Sequence, residues 1–431
     1  MLALGLLLTG ASVALPTRAV GSASPKELKF WLAWTDTPVI HAFNGLIDDY
    51  NRTHSSVHWT VVPAVAQDKL VASITAANPP DAASLITTLD IGSLASNGAV
   101  VDLQPFIARS HLNLANYTSA SLSSVAVYGH QYGMPFMEDT YMLYYNKALL
   151  TRAHIARPPR TLSEVEADAK KMTITGSNGS YTQVGFIPTF FRGIWGLAYG
   201  GRYVDASAHH ITALNPRVVA SVQWLADYWK TFNPDKLDRF NTGAGGYATG
   251  LDPFVAGKLG MEVAGEYLQP TLQQYGPKID YGVAPIPYAD GYPAAANLGS
   301  VGGNPLVIPR GSRHPQDAWN LIQWLETTGT ELTVRKYYVA DMQAVPELKS
   351  IVFNPSLAPT PTMAAFWHYS AGQNILPWPS MPVSQEYNDA MGAAVEKIIH
   401  GQESVQAGLT GVQQQIAPQL AQALQNSRFN H

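Results

Sequence analysis

The chain contains no cysteine among its 431 residues. Disulfides, thiol catalysis and Cys-ligated metal are therefore excluded, and no cysteine is expected to carry a lipid anchor. Charge is also scarce: Asp, Glu, Lys and Arg make up 13% of the chain, and the net charge is −4. That is no electrostatic footprint for nucleic acid or an anionic membrane. So few ionised groups also leave little to lose at low pH, which suits an acidic habitat. Beyond the N-terminal stretch no segment approaches the roughly 18 uninterrupted apolar residues of a membrane span. GxSxG, HExxH and Walker A sequences are missing. The glycines of "GAGGYATG" (243–250) follow no strand and read as a loop, and His209 and His210, being adjacent, cannot act as an i, i+4 ligand pair. No catalytic residue, cofactor or metal is expected.

What is present is enough apolar residue, 46%, for two ordinary domains with real cores. The N-terminus, "MLALGLLLTGASVALPTRAVGSAS", reads as a signal peptide over residues 1–24. Its apolar run is too short to span a membrane, and Gly21, Ser22 and Ala23 suit a signal peptidase, although no Lys or Arg precedes the run. The mature protein is expected to be soluble and exported.

From residue 27 the pattern alternates between strand and helix. "ELKFWLAW" has a strand's period, whereas "TPVIHAFNGLIDDYNRT" places Val39, Ile40, Phe43, Leu46, Ile47 and Tyr50 on one helical face, with Thr37 as N-cap before Pro38. "VHWTVVPA", "PDAASLI", "KIDYGVAPIP" and "NPLVIPR" read as strands, and Thr161 with Glu164 has capping-box spacing. This alternation predicts an α/β fold with mostly parallel sheets and helices on their faces.

In such a sheet, ligands bind outside the carboxyl ends of the strands. Trp34, Thr35 and Asp36 stand there after the first strand, and Asp90 after "SLITTL". Asp139 and Tyr141 follow "YGMPFM", Trp195 lies in "FFRGIWGLAYGG", and Glu266 and Tyr267 lie in "MEVAGEYLQP". Trp34, Trp195, Trp367 and Trp378 are expected in turns or loops, where a large exposed ring needs a reason. Trp224, Trp229, Trp319 and Trp324 fall at core-facing helical positions, and Trp31 lies inside a strand; these five are read as packing. Aromatic rings mixed with single carboxylates suit a pyranose, whose C–H faces stack and whose hydroxyls need acceptors.

The run "LYYNKALLTRAHIARPPRTLSEVEADAKKM" resembles the extracellular solute-binding proteins of carbohydrate ABC transporters, the group that includes maltodextrin-binding protein. "NPPDAASLITTLDIGSLASNGAVVDLQPFI", "FVAGKLGMEVAGEY", "GSVGGNPLVIPRGSRHPQDAWNLIQWL" and "VEKIIHGQESVQAGLTGVQQQI" follow in that family's order, covering nearly all of residues 27–417. Tyr267 stands where the family often has Trp, and still offers a ring.

The resemblance implies a two-lobed periplasmic-binding-protein fold of type II, with ligand in a cleft between lobes joined by hinge crossings. Lobe one is expected over 25–137 plus 296–350, and lobe two over 138–295 plus 351–431. "MPFMEDTYMLYYNK" falls at the first crossing, so Asp139 would face the cleft while Glu138 points the other way by strand alternation. Backbone near Gly302 and Gly303 would contribute at another crossing. The implied function is capture of a sugar or oligosaccharide and its delivery to ABC transporter permease subunits, by a monomeric protein at the periplasmic or extracellular surface. Two alternatives stand beside it. The same fold could take a glycerophosphodiester or polyol, which predicts a cleft cation such as Arg192 or Arg202; a secreted glycoside hydrolase would need two carboxylates of different pKa. A structural surface protein is disfavoured by the aromatics.

Overall fold

The computed structural model describes residues 24–189, 193–244, 246, 249–337, 344–372 and 374–426. Arg192 and residues 1–23 of the expected signal segment lie outside the described residues.

The strands are β1 (Lys26–Trp31), β2 (Val57–Val62), β3 (Ala82–Ser84), β4 (Ala126–Val127), β5 (His130–Gln131), β6 (Glu138–Asn146) and β7 (Ile174–Thr175). They continue as β8 (Tyr181–Phe186), β9 (Leu259–Gly265), β10 (Tyr281–Ala284), β11 (Gly299–Gly303), β12 (Leu306–Val307) and β13 (Ile375–Pro377). Among the described residues they form one sheet in the order β12-β3-β1-β2 and a second in the order β13-β11-β6-β9-β8-β7, with β10 also on β6. β4 and β5 pair as a separate hairpin.

The first sheet behaves as the alternation predicts. β1 runs parallel to β2 and to β3, and only β12 is antiparallel. Helix Thr37–Thr53 packs Phe43, Leu46, Ile47 and Tyr50 into the core, as its period requires. Its cap differs from expectation: Asp36, not Thr37, holds the extended N-cap position, with no side-chain cap bond, because Pro38 already fixes the first turn. At helix Leu162–Met172 the Thr161 side chain does accept from the Glu164 amide.

The second sheet departs from the expected parallel order. β6 is antiparallel to β9, β10 and β11. β6 carries the chain away from the first sheet and β11 carries it back, so the two must run in opposite senses. Only β8 with β9, and β11 with β13, run parallel.

Among the described residues, three segments join the lobes side by side. Glu138 at the start of β6 exchanges both backbone bonds with Val345, at 3.1 and 2.9 Å, and pairs with Gly303 on its other side. β11 belongs to the second sheet, so the second crossing comes at 303–306, not at 296. A Cβ on Gly303 would lie 3.1 Å from the Glu138 Cα, which leaves little space for a side chain between the crossing strands. Immediately before β6, Met137 adopts a left-handed backbone (φ 53°). For a residue with a Cβ this conformation costs about 1–3 kcal/mol, the kind of local strain found at hinges.

Candidate ligand cleft

A cavity of about 350 Å³ opens between the lobes. Its first-lobe wall comes from Ser123, Ala126 and the β4–β5 turn at Tyr128 and Gly129. The facing wall is the 197–208 segment, and the floor is Ser300 of β11 with residues 376–380 around β13. The lobes also touch directly beside it. The Tyr128 hydroxyl donates to the Ala208 carbonyl at 3.2 Å, and its ring stacks on His209 at 4.9 Å. Ser380 donates to the Ser124 carbonyl at 2.7 Å, and Gly92 is so close to Met381 that a Cβ there would sit 1.9 Å from its carbonyl oxygen.

The aromatic part of this wall is built on glycines. Helix Ile194–Ala198 starts from Gly193, whose φ of 61° is left-handed, and a Cβ at Gly193 would meet the rings of Tyr203 and Trp378 at 2.5 and 2.6 Å. Those rings stand 4.8 Å apart, and the Tyr203 hydroxyl donates to the Gly193 carbonyl at 2.7 Å. Two polar side-chain atoms in this floor are buried with no hydrogen-bond partner: Ser300 Oγ and Trp378 Nε1. Ser300 is 1% exposed and Trp378 3%. A buried donor left unmade costs about 1–3 kcal/mol, so a native structure that keeps two of them beside a cavity needs a reason.

Among the described residues, the charged groups at the cavity are Arg202 and Asp205. Although burial alone would raise it, bonds from His210, Ser207 and the backbone amides of residues 209 and 210 hold the Asp205 carboxyl well below the usual range. Arg202 is exposed, bonds to its neighbour's carbonyl at 3.1 Å and makes no ion pair among the described residues. Partial desolvation and then nearby Arg217 lower its pKa.

Of the residues singled out in sequence, Trp378 lines the cavity. Asp139, Tyr141 and Gly302 belong to the same sheet face as Ser300, because Gly302 pairs with Asp139 and alternate residues share a face. Gly303 sits at the crossing beside Glu138. Thr35 and Asp36 are exposed at the carboxyl end of β1, and Tyr267 is partly buried beside Gly265.

Several of the others are drawn elsewhere. Trp34 turns into the first-lobe core against Phe43 and Phe136. Trp195, expected in a loop, is helical and buried, packs on Phe186 and Trp224, and donates to the Thr189 carbonyl at 2.7 Å. Trp367 is a correction of the same kind: it sits inside helix Pro361–Ser370 at 0% exposure, because that helix packs across β6 and β10 and buries one side. Glu266 is fully buried and accepts from the Thr140 amide at 3.0 Å. Burial first, then the adjacent Asp139 carboxyl, push it well above the ordinary carboxylate range. Asp90 faces Glu386 and Asp389 across the lobes, not the cavity, and burial with that acidic company raises it.

Trp229 and Trp319 are core, with Trp224 and Trp324 packed partly buried against it. Trp31 is only half-buried. It lines a first-lobe hollow of about 250 Å³ with Gln67, Ser84 and exposed Ile86, at the carboxyl ends of β1 and β3, under the Lys69 ammonium. Tyr128, Tyr203 and Ser300 were missed. The Gly193-x-x-Gly196 spacing was the available signal for a close-packed ring such as Tyr203, whereas a serine in a strand carries no local mark.

Residues 35–331 match the bacterial extracellular solute-binding protein family, and the chain belongs to that family. It is 24% identical over 319 residues to a maltotriose-binding protein of Pyrococcus abyssi, covering 72% of this chain and 63% of that protein. It is 26% identical over 279 residues to a maltodextrin-binding protein of Bacillus subtilis, covering 63% of this chain and 61% of that one. The match thus spans somewhat less than two thirds of these relatives' length. The solved structure of CpMnBP1 with mannotriose bound superimposes with a TM-score of 0.78, over 90% of this chain and 99% of that one, at 24% identity. The fold is therefore the two-lobed type II arrangement of sugar-binding proteins.

Proposed function

We propose that this chain is an exported, non-enzymatic binding protein that captures a sugar or oligosaccharide between its lobes and delivers it, as a monomer, to an ABC importer. The observation that carries the reading is the floor of the interlobe cavity. Ser300 Oγ and Trp378 Nε1 are buried without partners beside the rings of Tyr203 and Trp378. A pyranose supplies what such a surface needs: hydroxyls for the two polar atoms and a C–H face for the rings. The proposed contacts are Trp378, Ser300, Tyr128, Tyr203 and Arg202. Asp139, Tyr141 and Gly302 contribute from the adjoining sheet face, and Thr35, Asp36 and Tyr267 are reached by a longer ligand. Closure follows from differential affinity, since a ligand touching both walls stabilises only the closed lobes. The binding proteins named above support the ligand class. Among the described residues no helix is long and apolar enough to cross a membrane.

Arg202 favours one second reading, in which the ligand is a glycerophosphodiester or other phosphate-bearing polyol held by that guanidinium. A thermal-shift screen against maltotriose, mannotriose, simple polyols and glycerol phosphates separates the two. A ligand that binds only the folded state raises the midpoint by mass action. The sugar reading expects a trisaccharide to raise it and to be recovered unchanged; a shift confined to glycerol phosphates supports the second reading, and consumption of the compound overturns both.

A further inference from the structure

Three glutamates are buried together where the lobes join, with no cation among the described residues to pair them. Glu138 opens β6 at the first crossing and is 2% exposed; Glu347 lies on the third crossing at 1%; Glu326 lies at 0% on the π-helical turn Leu325–Gly329 that follows helix Pro315–Trp324. The groups facing them are neutral or acidic. Ser121 donates to Glu138 Oε2, Thr330 donates to Glu347 Oε1 at 2.7 Å, and the Tyr117 hydroxyl is near Glu326. Asp139, next on β6, adds a further carboxyl, itself beside buried Glu266. Lys349, near in sequence, spends its ammonium on the Ala115 carbonyl. Glu138 Oε1 and both Glu326 carboxyl oxygens have no hydrogen-bond partner.

Ionising three carboxyls in one dry site is prohibitively costly, so the cluster holds together only while most of it is protonated. Burial drives Glu138 and Glu326 far above the ordinary range and Glu347 to about 7, opposed at Glu138 by the Ser121 hydroxyl and at Glu347 by the Thr330 hydroxyl and a backbone bond. A second acidic face meets across the lobes. Asp90, at the carboxyl end of the first sheet, confronts Glu386 and Asp389 on helix Ser384–Ile399, with Asp68 nearby and only the Gln67 amide as a donor. Elsewhere in lobe two, Glu262 is buried against Asp252. Acid–acid contacts thus occupy the hinge and the interlobe face, the two places that a closing motion must bring together.

We propose that lobe closure is proton-gated: the Glu138–Glu326–Glu347 cluster locks the crossings in acid and loosens them as the pH rises through neutrality. The gate rests on the two-lobed binding reading only for its consequence, since the hinge responds without a ligand.

The absence of cysteine makes the test direct. Ser55→Cys in the first lobe and Thr231→Cys in the second, both exposed, take spectroscopic labels whose separation is read on the ligand-free full chain. Between about pH 5 and about pH 8 the separation should lengthen, and the infrared carbonyl band of protonated buried carboxyls should fade over the same interval. Glu347→Gln, which keeps the shape but cannot ionise, should flatten both responses; Glu138→Gln and Glu326→Gln should do the same and stand in if it folds poorly. A separation constant across that interval in the unsubstituted hinge overturns the proposal. So does an unchanged response in all three Gln variants, or a response removed only by Asp90→Asn. Because no sugar enters the measurement, failure of the gate and failure of the sugar reading are separate results.

Discussion

The cavity floor and the hinge lie on neighbouring strands, and both bury polar atoms that lack partners. At the floor these are Ser300 Oγ and Trp378 Nε1, a hydroxyl and an indole donor on residues that line about 350 Å³ of space between the lobes. At the hinge they are Glu138 Oε1 and the two Glu326 carboxyl oxygens, near a hollow of only about 20 Å³ lined by Met137, Thr330 and Glu347. The first pair is neutral, and in the proposed binding reading a ligand's hydroxyls complete it. The second is acidic, so what it lacks is protons. Residue alternation along β6 separates the two: Asp139 falls on the face of Ser300 and Gly302, and Glu138 falls on the other with Ser121 and Glu347.

That contrast can be broken at several points, most severely where a ring serves neither region. Trp195→Ala removes a buried indole, its bond to Thr189 and its contacts with Phe186 and Trp224. It should cost about 3–5 kcal/mol of stability, read as a fall in the urea midpoint, with affinity of the remaining folded protein little changed. A next step down is Gly92→Ala, which forces Met381 away from the first lobe. Overpacking of this kind costs about 1–3 kcal/mol and should weaken closure more than it weakens either lobe, so calorimetric binding falls before the melting midpoint does.

Trp378→Phe sharpens the comparison. It keeps a ring against Tyr203 but deletes the unpaired donor, so ligand-free stability should hold while affinity drops about tenfold, or about 1.4 kcal/mol. Equal loss of both would make Trp378 ordinary core. The hinge predicts a pH effect with a definite sign. A carboxyl whose folded pKa is raised stabilises the fold fully below its ordinary value of 4.5, and that contribution disappears as the pH climbs through the folded value. For Glu347 that value is about 7, so thermal midpoints should fall between about pH 4.5 and 7, and Glu347→Gln should reduce the fall. Tyr128→Phe, losing one interlobe bond to Ala208, should have the smallest effect, about 0.5–1.5 kcal/mol on the closed state alone.

Much of the architecture was legible in sequence because period and punctuation carry it. The face of helix Thr37–Thr53, the Thr161 cap and the alternation of Glu138 with Asp139 all follow from spacing. The antiparallel order around β6 did not, because strand direction depends on where the chain re-enters a sheet and leaves no local mark. The tryptophans show the same limit. Trp319 at helical spacing is core as read, but Trp195 and Trp367 stand in Gly- and Pro-rich surroundings that look like loops and are short buried helices. Glu266 stood out as a lone acid beside an aromatic; only the fold shows its carboxyl turned onto the Thr140 amide. Tyr128 and Ser300 become cleft residues through contacts between segments more than 70 residues apart, beyond any window of sequence.

The central claim, that the cavity floored by Ser300 and Trp378 is the ligand site, is tested most directly by titrating maltotriose and mannotriose into the unsubstituted protein and into Ser300→Ala with Trp378→Phe combined. Loss of about two orders of magnitude in affinity, with an unshifted ligand-free melting midpoint, is the predicted result. Undiminished binding of either sugar by the double variant would contradict it and send the search to the first-lobe hollow beside Trp31.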